Sequence, residues 1–200
     1  HRDLRSVISQ REVGVDTASF TRALRRVLRQ DPDVILIGEM RDEETVATAM
    51  SAAETGHLVL STIHTVDAAE SINRMLDFFP PHQHGQIRSM LAGTLRGVIS
   101  QRLVPAAGGG RVAACEVLRT TGRVRDMILD PAQTGALSTV IAEGGYYGMQ
   151  TFDQALYAHV VAGRVTVDDA LKVASSPHGF KLLLDAEGRR GATMADVVDG

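Results

Sequence analysis

The chain has 200 residues, 44% hydrophobic and 22% charged, enough apolar material for one large domain or two small ones. With 21 basic and 24 acidic side chains the formal charge is −3, so no global field draws it to nucleic acid or anionic lipid. One cysteine, Cys115, excludes an internal disulfide or a cysteine-rich zinc site, and no apolar run approaches the roughly 20 residues of a membrane span. No signal peptide is visible, and a cytosolic compartment fits. Because it begins at His1 rather than Met, the sequence is expected to be a fragment or a processed product.

Residues 1–16 are polar and mixed and read as a short strand or loop. Residues 17–30 predict a helix capped by Thr17 or Ser19, since either side-chain oxygen can accept from the free amides of the first turn. Phe20, Leu24, Val27 and Leu28 share one face, while Arg22, Arg25, Arg26 and Arg29 occupy much of the rest. Two readings of the arginines stand: a solvated face, or guanidinium forks aimed across a subunit boundary at phosphate. Pro32 stops the helix.

The run Val34-Ile35-Leu36-Ile37-Gly38 predicts a strand buried on both faces, as in a parallel sheet. Its end changes abruptly to Glu39, Arg41, Asp42, Glu43 and Glu44. In open α/β sheets, ligands bind beyond the carboxyl ends of strands. A hydrophobic strand delivering an acid there resembles a Walker B element, whose carboxylate serves magnesium or the attacking water. The structural alternative is a buried strand followed by the acidic first turn of a helix.

That helix is predicted over 43–55, with Asp42 as N-cap, a small-residue face of Val46, Ala49, Met50 and Ala53, and Gly56 as a left-handed cap. Residues 58–63 predict a second buried strand ending in His64-Thr65, so strand–helix–strand makes a right-handed crossover. Helices follow over 67–78, burying Ala68, Ile72, Met75 and Leu76, and over 82–97. Residues 98–104 and 111–118 predict a hairpin around PAAGGG. No Lys-Ser or Lys-Thr follows those glycines, so they are not a phosphate cradle. Small helices are predicted over 122–129, 133–143, 151–163, 167–175 and 177–187, and the tail 188–200 is expected to fray.

Six segments occur in order: Gln10-Arg11-Glu12-Val13-Gly14, Leu24-Arg25, Leu28-Arg29-Gln30-Asp31-Pro32-Asp33, Gly38-Glu39-Met40-Arg41-Asp42, Ala53-Glu54-Thr55-Gly56-His57 and Thr62-Ile63-His64-Thr65. Together they resemble the secretion ATPases that power type II secretion and type IV pili. Residues 148–156 (GMQTFDQAL) and the lack of a tetracysteine insertion point to the PilT-like retraction branch. The segment 122–130 departs from that branch, keeping Arg125 and the apolar spacing but not its Asn or Arg-Glu. The family's glycine-rich Walker A loop and an upstream acidic segment are expected before His1.

The resemblance implies an α/β fold: an incomplete RecA-like P-loop ATPase core over 1–118, with Walker B and His box, followed by a small helical region over 119–187. It implies an ATP-hydrolysing motor of pilus retraction and twitching motility, working as a homo-hexamer on the cytoplasmic face of the inner membrane. The partner is an inner-membrane platform protein, not nucleic acid, and the cofactors are ATP and Mg²⁺. Catalytic roles fall on Glu39, which holds magnesium through water, on His64 as γ-phosphate sensor, and on Arg74. Nucleotide contacts fall on Arg11, Arg25, Arg29, Gly38, Arg41 and His57. The alternative is a non-hydrolytic relative acting as an interaction module. Without Walker A, these 200 residues alone are expected to be inactive. A nucleic-acid motor is disfavoured, because only 4% of residues are aromatic.

Overall fold

The computed structural model describes residues 4–186, so the frayed tail expected over 188–200 lies outside the described residues. The described chain forms two compact units. The first takes the chain up to His64 together with Ser71–Leu95, and the second takes Thr65–Glu70 and the chain from Arg96 onward.

In the first unit, helix α1 (Phe20–Val27) starts on Ser19, whose hydroxyl accepts from the Arg22 amide, and it tightens into a 3₁₀ turn at Leu28–Gln30. Asp31 closes that turn in a left-handed conformation, φ 50°, a geometry Asp tolerates better than most residues. Strand β1 (Val34–Ile37) follows, then helix α2 (Glu43–Glu54) and strand β2 (Leu58–Ser61). The strands pair in parallel, Val34 against Leu58 through Ile37 against Ser61. The Asp42 carboxylate caps α2 by accepting from the Thr45 amide at 2.8 Å. Gly56, at φ +99°, reverses the chain into β2. Residues 4–16 form no strand; they carry one isolated bridge, Val13 with Thr17.

The prediction that β1 is buried on both faces does not hold. Ile35 and Ile37 are buried, while Val34 is 51% and Leu36 62% exposed. Leu58 and Leu60 of β2 are likewise exposed. Among the described residues the sheet in this unit has two strands, and helices pack on one face of it. On that face Leu24 of α1 and Ala49 and Ala52 of α2 pack with Ile35 and Ile37. Small alanines let the helix approach the strands closely, which maximises contact per residue. On α2 the predicted Ala49 is buried, and the second buried alanine is Ala52 rather than the predicted Ala53.

Helix α3 (Ala68–Asp77) buries the four residues predicted for it, Ala68, Ile72, Met75 and Leu76. Helix α4 (His84–Thr94) follows a 3₁₀ turn at Pro81–Gln83 and packs on α2.

The second unit is built on an antiparallel hairpin, β3 (Gly97–Pro105) and β4 (Arg111–Arg119), turned by Gly109 and Gly110 at φ +89° and +78°. Helix α5 (Gly122–Leu129) starts on Thr121, and α6 (Leu137–Glu143) comes after a 3₁₀ turn. Helix α7 (Phe152–Val161) opens with a reciprocal capping box between Thr151 and Gln154. Helix α8 (Val167–Val173) starts on Thr166, and residues 177–186 are also helical. The core gathers Val104 and Ala114 from the hairpin, Leu156 from α7, Ala170 from α8 and Phe180.

Gly97 sits where a side chain has no room: a Cβ there would lie 2.7 Å from the Leu118 carbonyl oxygen. Relieving that overlap means moving paired strand backbone, so Gly97→Ala is expected to lower unfolding free energy by about 1–3 kcal/mol. Urea melts of the two proteins check this, and an unchanged midpoint would show that the hairpin yields freely at its start.

Candidate functional site

The chemistry concentrates where β1 and β2 end. Strand pairing stops at Ile37 and Ser61, but the two tips stay tied through one residue. Thr62 Oγ1 donates to the Gly38 carbonyl at 2.7 Å, and the Met40 amide donates to the Thr62 carbonyl at 3.0 Å. Glu39 lies between those two anchored positions, so its backbone is pinned on both sides. Its side chain is 20% exposed. The Arg41 Nε forms an ion pair with Glu39 Oε1, and His64 Nε2 lies 3.3 Å from Glu39 Oε2.

The loop geometry follows from the sequence. Gly38 and the polar residues after it cannot extend the apolar strand, and Asp42 is committed to capping α2. Only Glu39, Met40 and Arg41 remain between strand end and helix cap, and the glutamate emerges at the tip. His64 is 91% exposed on its side chain and hence free to turn toward a ligand. The arrangement offers a carboxylate, a guanidinium and an imidazole on one strand-end surface, a set able to orient water and contact anionic oxygens.

The predicted site residues divide into groups. Gly38, Glu39, Arg41 and His64 come together at this tip. His57 does not join them. It stands at the opposite end of β2, where its Nδ1 lies 3.1 Å from both the Ala52 carbonyl and the Thr55 hydroxyl at the close of α2. The length of β2, about 3.3 Å per residue, separates the two histidines.

Arg25 and Arg29 line a shallow depression of about 440 Å³ on α1, with Arg22, Arg26 and Glu44. Among the described residues, none of these four arginines forms an ion pair. Arg11 donates to the Gln30 side chain at 3.3 Å. The Arg74 guanidinium lies 5.1 Å from the centroid of the Phe78 ring, one helical turn on. Thr62 falls within the Thr62-Ile63-His64-Thr65 segment of the resemblance, but its bridge between the strand tips was not read from the pattern. A threonine at a strand end carries no periodic signal, and only its position between Gly38 and Met40 reveals its part.

No group of three or more His, Cys, Asp or Glu that could hold a metal ion is gathered among the described residues. One carboxylate fits the usual habit of magnesium, which keeps several waters and takes its other ligands from substrate phosphates.

Comparison with known proteins supplies the wider frame. The family model described as "Type II/IV secretion system protein" matches residues 7–172. The type IV pilus retractation ATPase PilT of Pseudomonas aeruginosa is 44% identical over 180 residues, covering 90% of this chain and 52% of that protein. A crystal structure of the pilus retraction motor PilT with bound ADP superposes with a TM-score of 0.78 at 45% identity, covering 86% of this chain and 48% of that one. The Legionella pneumophila ATPase DotB gives a TM-score of 0.74 at 28% identity, covering 92% and 47%. The chain spans about half the length of the curated relatives it matches.

Proposed function

The chain belongs to the type II/IV secretion system protein family, and from that premise we propose that it carries the Walker B and His-box part of the ATP-hydrolysing motor of type IV pilus retraction. Its structural neighbours are RecA-like P-loop ATPases, and its α/β core shares their fold. The observation that carries the proposal is the pinned Glu39 carboxylate at the β1 tip, facing His64 across 3.3 Å. Retraction and twitching motility are proposed from the likeness to the pilus retractation ATPase.

On this reading residues 1–118 hold the motor chemistry and residues 119–187 meet the rest of the machinery. Glu39 orients the attacking water and would hold magnesium through a bound water. His64 contacts the γ-phosphate oxygens, and Gly38 and Arg41 border the nucleotide. His57 supports from the far end of β2 by fixing where α2 stops. Magnesium, when bound, neutralises charge on the transferring phosphoryl group. Arg11, Arg25, Arg29 and Arg74 are proposed to reach nucleotide or a neighbouring subunit in a homo-hexamer. The ring works at the cytoplasmic face of the inner membrane against a platform protein. No helix among the described residues is long and apolar enough to cross a membrane.

The sequence contains no Gly-Lys-Ser or Gly-Lys-Thr, the loop whose amides and lysine supply most phosphate binding in P-loop proteins. The 200 residues alone are therefore expected to show no magnesium-dependent ATPase activity above a Glu39→Ala control, as read by phosphate release. Activity above that control would overturn the assignment of phosphate binding to a loop outside these residues. The motor reading itself is tested on the complete subunit, meaning these residues joined to a phosphate loop. It predicts ATP turnover and a nucleotide-dependent oligomer in sedimentation. A complete subunit that oligomerises but never hydrolyses ATP would favour the interaction-module reading instead.

A further inference from the structure

Arg41 follows Glu39 by two residues, and the backbone around both is tied. The Gly38 carbonyl before them accepts from Thr62 Oγ1, and the Met40 amide between them donates to the Thr62 carbonyl. Asp42, after them, is committed to capping α2 through the Thr45 amide. The two residues therefore stand on a short loop fixed at Gly38, Met40 and Asp42, and the whole of it lies in the first compact unit. Their side chains meet with unequal freedom. That of Glu39 is 20% exposed and that of Arg41 is 75% exposed.

Both carboxylate oxygens of Glu39 are engaged. Arg41 Nε pairs with Oε1, and His64 Nε2 lies 3.3 Å from Oε2. Contacts on opposite oxygens keep the carboxylate from turning about its last bond. A carboxylate has about four acceptor sites, so each oxygen still has a lone pair for water. Arg41, by contrast, is only partly used. Its guanidinium carries five N–H donors in a rigid plane, one on Nε and the rest on the two Nη nitrogens. Nε serves Glu39, and among the described residues Glu39 is its one ion-pair partner. The Nη edge of that plane belongs to a side chain that is mostly open to solvent. Such an edge matches the oxygens of a phosphate group.

We propose that Arg41 is a positioning residue that couples the nucleotide to Glu39: its Nη edge takes phosphate oxygens while its Nε keeps Oε1, so one rigid plane sets the carboxylate at a fixed place relative to the phosphate. This rests on the reading above that Glu39 orients the attacking water. It goes further than a border contact with nucleotide, because Arg41 acts through Glu39. Positive charge alone does not suffice. A lysine gathers its donors on one nitrogen and cannot span two anions at the separation a guanidinium sets.

Two measurements test this. The first uses the 200-residue chain and needs no catalysis: exchange of the Arg41 Nε proton, followed by NMR. Glu39→Ala is expected to speed that exchange by about fivefold, the loss of one hydrogen bond on an open surface. An unchanged rate overturns the pair itself. The second is steady-state ATPase kinetics and nucleotide affinity of the complete subunit. There Arg41→Lys is expected to lower kcat by about 10²-fold, the effect of a displacement near 1 Å. Nucleotide Kd should stay within about threefold, because the charge is kept. On a Glu39→Gln background the same lysine substitution is expected to cost less than about threefold, since residues that act as a unit are not additive. A normal kcat for Arg41→Lys overturns the proposal. So does an equal loss on both backgrounds, which would make Arg41 a phosphate contact independent of Glu39. A Kd that rises as much as kcat was expected to fall makes Arg41 a binding residue and overturns it too. A parent subunit without turnover overturns the motor reading and the catalytic half of the proposal, and the proton exchange still decides the pair.

Discussion

Glu39→Gln in the complete motor subunit lowers kcat by about 10²–10⁴-fold, the usual cost of a lost positioned catalytic group, and leaves nucleotide binding nearly unchanged. The expectation follows from how the residue is held. The backbone on either side is tied to Thr62, through the Gly38 carbonyl and the Met40 amide. An amide of the same shape therefore stays at the same place. Glutamine still accepts hydrogen bonds through one oxygen, but it loses the negative charge that pairs with Arg41 and to which the motor reading assigns a metal-bound water. With the side chain 20% exposed at a strand tip, removing the charge leaves no deeply buried group unpaired, so folding should survive. Phosphate release and nucleotide titration separate the two quantities. A variant with kcat near that of the parent would make Glu39 a structural residue. A variant that binds nucleotide far more weakly would make it a binding residue.

Thr62 gives a companion expectation for that experiment. It touches no ligand in this account and acts only by bridging the tips, so its loss should resemble a partial version of Glu39→Gln, with the charge present but less well aimed.

What could be read from the chain and what could not have separate physical origins. Helix starts were legible because capping is local: Ser19, Asp42, Thr151 and Thr166 each accept from an amide three residues on. The buried face of α3 was legible because four apolar side chains recur at helical spacing. The hairpin was legible from two apolar runs about a glycine-rich turn. The exposure of Val34 and Leu36 was not, because four consecutive aliphatic residues carry no alternation. Burial of a strand face depends on which elements lie over it, and that is not a local property. At the site, the acid and the histidine were marked by abrupt polarity at the ends of apolar strands. The Thr62 bridge was not marked, being a long-range pairing made by an unremarkable residue type. Away from the site, the buried Glu116 did carry a signal, a charge inside Cys115-Glu116-Val117-Leu118, but its partner on α3, the Ala68 amide, lies 48 residues away. His57 carried a signal that reads equally well as support of the site or as a structural hydrogen-bonding residue, and its contacts with Ala52 and Thr55 tie it to the end of α2.

The arginines of α1 lead to the second large effect. Arg22, Arg25, Arg26 and Arg29 line one shallow depression with a single acid, Glu44. Four like charges on one short helix repel one another, and among the described residues no ion pair offsets that cost. A surface of this kind finds its compensation in something negative, and the motor reading supplies phosphate bound by a neighbouring subunit. An arginine acting in trans on a transferring phosphoryl group contributes about 10³–10⁵ in rate. The double substitution Arg25→Ala with Arg29→Ala in the complete subunit is therefore expected to lose that much activity while each subunit keeps its own Glu39. Mixing distinguishes action across the boundary from action within a subunit. Subunits with Glu39→Gln and subunits lacking both arginines are each inactive alone. In randomly mixed rings with equal amounts of the two, about a quarter of boundaries join an intact Glu39 to a neighbour's intact arginines. Those boundaries should recover measurable ATP turnover. If the arginines serve their own subunit, no boundary is complete and the mixture stays silent. Sedimentation of the mixture shows whether mixed rings form, so silence in the presence of mixed rings overturns the trans assignment. A strict monomer at every concentration, with a non-hydrolysable ATP analogue present, overturns the ring and with it the role proposed for these arginines.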